Sequence, residues 1–131
     1  MLDWLNDEQI ALRDMAERFA RKDVEPLAVQ IDRDEHTPDE LITKAAEIGL
    51  FGLYTPVEYG GSGADLVSAC LVSEEIAKAS PAFAGALTVQ MVLSPKTVEI
   101  LGTDAQKERY LPASASGERL SPRVAHPCHG R

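Results

Sequence analysis

Apolar residues recur at three- and four-residue spacing along most of this chain, and nearly every such run is opened by a residue suited to cap a helix. A strand would need strict alternation, which is scarce, so the pattern commits the chain to helices. Leu5-Asn6-Asp7-Glu8-Gln9-Ile10 reads as a helix start. Asn6 accepts from a first-turn N–H, Gln9 reaches back, and Leu5 with Ile10 forms a hydrophobic staple. Leu12, Met15, Ala16, Phe19, Ala20, Val24, Leu27 and Ile31 continue the stripe. Pro26 interrupts it, with no N–H for the carbonyl of Lys22, which predicts a kink or two abutting helices. Thr37-Pro38-Asp39-Glu40 predicts a second helix with a Thr cap, stopped by Gly49.

Residues 50–64 read as a glycine- and proline-punctuated loop. A third helix is predicted from about Asp65 to Ala79, with Leu66, Ala69, Cys70, Val72, Ile76 and Ala77 as its buried side. Ser80-Pro81 opens a fourth to about Leu93, and Ser94-Pro95 opens a short fifth that ends at Gly102. Thr103 with Gln106 opens a sixth to about Ala115, inside which Pro112 is a candidate early stop. Short connections favour adjacent antiparallel helices. The expected fold is all-α: a compact bundle of about six antiparallel helices over residues 1–118. Residues 119–131, basic, apolar-poor and holding two prolines, are expected to be a disordered tail.

Charge narrows the partners. Residues 1–118 hold 10 basic and 21 acidic residues, and all three tail charges are arginines. Such a field repels phosphate backbones and anionic lipid, which argues against nucleic acid and membrane surfaces. No apolar run reaches the roughly 18 residues of a membrane span. The first residues show no signal peptide. Two cysteines are too few for a disulfide framework, so a reducing cytoplasmic location is expected, with the mitochondrial matrix after processing as the alternative.

Several features invite a site and favour a plainer reading. Gly60-Gly61-Ser62-Gly63 lacks the preceding strand and following Lys-Ser/Thr of a phosphate loop, so its glycines read as a structural turn. Tyr59 reads as packed or capping, and Cys70 as an inert core thiol. His126, Cys128 and His129 lack a second pair of ligands, so no metal site is expected.

Three segments carry a family likeness. Gly49-Leu50-Phe51-Gly52-Leu53-Tyr54-Thr55-Pro56-Val57-Glu58-Tyr59-Gly60-Gly61-Ser62-Gly63 resembles the loop between the second and third helices of acyl-CoA dehydrogenases, with Val57 in place of the first of two acids. Leu71-Val72-Ser73-Glu74-Glu75-Ile76-Ala77 resembles their third helix. Gly102-Thr103-Asp104-Ala105-Gln106-Lys107-Glu108-Arg109-Tyr110-Leu111-Pro112, with Ser116-Gly117-Glu118, resembles the exit from their N-terminal helical domain. After Arg119 or Leu120 the likeness fails, as expected of a truncation, a shifted reading frame or one half of a split enzyme.

The resemblance implies FAD-dependent α,β-dehydrogenation of acyl-CoA thioesters. In that family the catalytic glutamate and most flavin contacts come from later domains, so no catalytic residue is assigned here and no FAD is expected on this chain alone. The resemblance implies instead one wall of the acyl pocket, supplied by the fourth helix, with Phe83, Ala86, Leu87, Val89, Gln90 and Leu93 as candidates. Expected partners are acyl-CoA and the remaining dehydrogenase domains, or self-association through an exposed apolar face. A small helical interaction module without catalysis is the alternative.

Overall fold

The structure, a computed structural model, describes residues 4–120. Seven α-helical segments form five continuous rods, and there is no strand among the described residues. The segments are α1 (Asp7–Phe19), α2 (Ala28–Asp34), α3 (Asp39–Glu47), α4 (Leu66–Ala79), α5 (Pro81–Thr88), α6 (Ser94–Leu101) and α7 (Asp104–Ala115).

The helix starts are built from local chemistry. At α1 the capping box is complete: Gln9 N–H donates to Asn6 Oδ1 at 2.8 Å, and Asn6 N–H donates to Gln9 Oε1 at 3.1 Å. Thr103 and Gln106 repeat this arrangement at α7. Ser80 Oγ accepts from Phe83 N–H at α5, and Asp65 Oδ1 accepts from Ser68 N–H at α4. The expected Thr37 cap is absent. Thr37 is turned into the interior, Pro38 occupies the capping position, and no side chain takes the free N–H groups of α3.

Two prolines are absorbed without breaking their rods. Pro26 and Pro95 each follow a π turn, Ala20–Val24 and Val89–Leu93. In each, the residue before the proline donates its N–H five residues back: Glu25 to Ala20, and Ser94 to Val89. The extra residue in the turn opens space for a ring that would collide with the carbonyl four residues earlier. The expected start of a separate helix at Ser94-Pro95 is therefore a continuation of α5. Pro112 likewise sits inside α7, which runs on to Ala115.

Short links make α4 and α5 antiparallel, as they do α6 and α7. Between α1 and α4 lies a long excursion, and these two rods run side by side in the same direction. Gln9 Nε2 donates to Asp65 Oδ2 at 2.7 Å and ties their first turns together. The core lies between these layers. Phe19 and Phe83 meet at 6.4 Å between ring centroids, tilted by 55°, among Ala16, Val24, Val72, Ile76, Leu87 and Met91. The segment between α3 and α4 is folded inward: Leu50, Phe51, Leu53 and Ala64 are all buried. The expected tail from 119 onward falls mostly outside the described residues. Arg119 N–H donates to Ala113 O at 2.9 Å, and Leu120 packs against the core.

Asp65 makes the junction of α1 and α4 sensitive to acid. The Ser68 N–H, then the Ser68 hydroxyl and the Gln9 amide, hold its carboxyl below the usual aspartate value. A carboxyl depressed in the folded state contributes stability above its unfolded value and loses that contribution as pH falls through the folded one. Asp65→Asn keeps an acceptor oxygen but does not titrate. Urea midpoints across an acid series are expected to fall less steeply for this variant than for the wild type. Equal slopes would rule out this role.

Candidate acyl-facing groove

Ala69, Ser73 and Ala77 lie four residues apart on α4 and form a stripe of small side chains. Opposite them the α5 rod presents Thr88 and, one turn on, Val92. Small residues on one side and short branched ones on the other do not fill the space between the rods. What remains is an open groove of about 450 Å³, bounded by Leu66 and Cys70 at one end and with Glu74 on its rim.

The polar atoms of the groove are satisfied internally. Thr88 Oγ1 donates to the Ala84 carbonyl at 2.8 Å, which spends its only proton. Ser73 Oγ lies 3.2 Å from Thr88 Oγ1 and therefore donates to it. Glu74 turns outward, 3.4 Å from Lys78 Nζ. The surface left in the trough is largely hydrocarbon and carries no unpaired charge.

Cys70 corrects an expectation. It is exposed, as is Leu66, so neither belongs to the buried side of α4. That helix is apolar around more than one face. Ala69, Val72 and Ile76 enter the core, while Leu66, Cys70 and part of Ala77 border the groove.

The six candidate wall residues divide. Phe83, Leu87 and Gln90 are buried in the core, Ala86 and Val89 are half-buried, and Leu93 is 56% exposed. None of the six lines the α4–α5 groove, to which the same rod contributes Thr88 and Val92. Gln90 instead donates through Nε2 to the segment that leaves α7. Leu93 joins Ile100 and Leu101, 69% and 79% exposed, in an apolar stripe along the outside of α6.

The glycine loop is closed on itself. Gly60 and Gly63 have φ of +82° and +65°, the left-handed region that glycine enters without strain. The N–H groups of Gly61, Ser62 and Gly63 donate to the carbonyls of Pro56, Gly52 and Thr55. None of these donors is left for a phosphate. Tyr59 is half-buried next to this loop. Burial, and after it the nearby Glu58, raises its phenol above the usual tyrosine value and keeps it protonated. Among the described residues no three His, Cys, Asp or Glu side chains gather as metal ligands. His126, Cys128 and His129 lie outside the described residues.

Residues 6–118 match the acyl-CoA dehydrogenase N-terminal domain. The chain belongs to the acyl-CoA dehydrogenase family. An acyl-CoA dehydrogenase of Bacillus subtilis is 36% identical over 116 residues, which are 88% of this chain and 31% of that protein. The butyryl-CoA dehydrogenase of Megasphaera elsdenii superposes with a TM-score of 0.80 at 31% identity, covering 88% of this chain and 31% of that one. An acyl-CoA dehydrogenase of Bacillus anthracis, solved in complex with FAD, gives 0.80 and 31%, covering 88% of this chain and 20% of that one. The chain thus spans about a third of the length of the B. subtilis acyl-CoA dehydrogenase.

A dinucleotide pyrophosphate calls for free backbone N–H groups or cations, and the glycine loop offers neither. In the α4–α5 groove the Ser73 and Thr88 hydroxyls are both engaged. Among the described residues no helix is long and apolar enough to cross a membrane.

Proposed function

We propose that this chain is the N-terminal helical domain of an FAD-dependent acyl-CoA dehydrogenase-like oxidoreductase, and that it forms one wall of the acyl-binding pocket without turning over substrate by itself. The observation that carries this reading is the α4–α5 groove: open, apolar, and with both hydroxyls satisfied on each other or on backbone. A hydrocarbon chain laid there removes apolar surface from water at about 25 cal/mol per Å² and strands no polar group. An acyl-CoA is the substrate that meets this wall, and the flavin is held by polypeptide other than residues 4–120. The exposed stripe of Leu93, Ile100 and Leu101 is a second apolar face suited to packing against further dehydrogenase domains.

The wall is tested by titrating the isotopically labelled chain with octanoyl-CoA and, in parallel, with free CoA. Backbone resonances of Ala69, Ser73, Ala77, Thr88 and Val92 are expected to shift with the thioester and not with CoA.

A further inference from the structure

Gln90 is a polar side chain only 1% exposed, set beside the hydrophobic core. It sits on the π turn that precedes Pro95. Its Nε2 lies 3.0 Å from Ser114 Oγ, 3.2 Å from the Ser114 carbonyl and 3.0 Å from the Arg119 carbonyl. These acceptors belong to the last turn of α7 and to the segment that leaves it. One amide therefore bridges two points five residues apart on a neighbouring element.

The rest of that segment is set with small tolerances. Gly117 has φ of +80°, and a Cβ there would come within 2.9 Å of Ala46 Cβ and 3.1 Å of the Phe51 ring. Arg119 N–H returns to Ala113 O, and Gly117 N–H to Ser114 O. Apolar packing does not complete the restraint. An open surface pocket of about 210 Å³, bordered by Pro95, Val98, Tyr110, Leu111 and Leu120, lies beside the exit. With solvent on that side, directional bonds fix the path that packing alone does not enclose.

We propose that Gln90 is the positioning residue that sets how the chain leaves the helical domain. Its amide holds residues 114–119 against the π turn, so whatever follows Leu120 starts from a fixed place and direction. Pro95 contributes indirectly, since the π turn that accommodates its ring is the turn that carries Gln90. This role is independent of what the α4–α5 groove binds.

The test is site-resolved amide hydrogen exchange on the full chain in increasing sub-denaturing urea. In the wild type, the Gly117 and Arg119 amides are expected to exchange with the same urea dependence as Val72 and Ile76 in α4, because the bridge opens only with the core. Gln90→Met keeps length and bulk but donates nothing. It is expected to raise exchange at Gly117 and Arg119 at least about tenfold relative to Val72 and Ile76, the factor matching ~1.4 kcal/mol. Wild-type exchange at the two exit amides that ignores urea overturns the proposal, and so does an unchanged ratio in the variant. Should Gln90→Met fail to fold, the wild-type urea dependence decides alone.

Discussion

Gly61→Ala is expected to cost roughly 3 kcal/mol or more of folding stability, an unusually large effect for adding one methyl group. A Cβ at residue 61 would stand 2.0 Å from the Thr55 carbonyl oxygen, 2.5 Å from its carbon and 2.6 Å from the Gly52 oxygen. All three obstacles are backbone, so no side chain can swing aside. Both carbonyls are also engaged. Gly52 O accepts from Thr55 and Ser62, and Thr55 O accepts from Gly63. The loop must open to admit the methyl, which breaks these bonds and lifts Leu53 and Ala64 from the core. Gly60→Ala is the matched control. Nothing lies within 4 Å of its added Cβ, and only its φ of +82° opposes the change, at about 1–2 kcal/mol. Urea midpoints measured at constant m-value give the comparison. Equal losses in the two variants would mean that the loop is not packed on itself as described.

Phe83→Ala is expected to destabilise the domain by roughly 3–5 kcal/mol. The ring is 1% exposed, meets Phe19, and belongs to the buried core, so its removal leaves a cavity there. The same substitution separates two roles. A ring that lined an open pocket would already face solvent on one side, and its truncation would cost little. A loss below about 1 kcal/mol would place Phe83 on a free wall instead of in the core.

These cases show which parts of the fold are written locally. The starts at Asn6, Asp65, Ser80 and Thr103 need only residues within three or four positions of each other, and all four appear as the sequence suggests. The π turns are different. A proline inside an apolar run signals trouble for a helix, but periodicity does not say whether the chain breaks or widens. At Pro95 it widens, and the expected fourth and fifth helices become one rod. The sides of α4 were unreadable for another reason. Apolar residues surround much of it, so spacing alone does not decide which edge a neighbour covers. Cys70 fell on the open edge.

The groove is a tertiary product. Ser73 and Thr88 are fifteen residues apart and meet only when α4 and α5 pack antiparallel. The sequence placed Ala69 and Ala77 on the buried side of their helix, and only the packed structure shows that they border a groove with Ser73. The partners on the opposite rod, Thr88 and Val92, carry no comparable local signal.

The octanoyl-CoA titration tests the assignment of the groove most directly, because it reads every residue of the wall at once against the CoA control. Thioester-dependent shifts are expected on α4 from Leu66 to Ala77 and on Thr88 and Val92. Shifts that appear equally with free CoA, or that cluster on Leu93, Ile100 and Leu101 and leave the groove untouched, would contradict it.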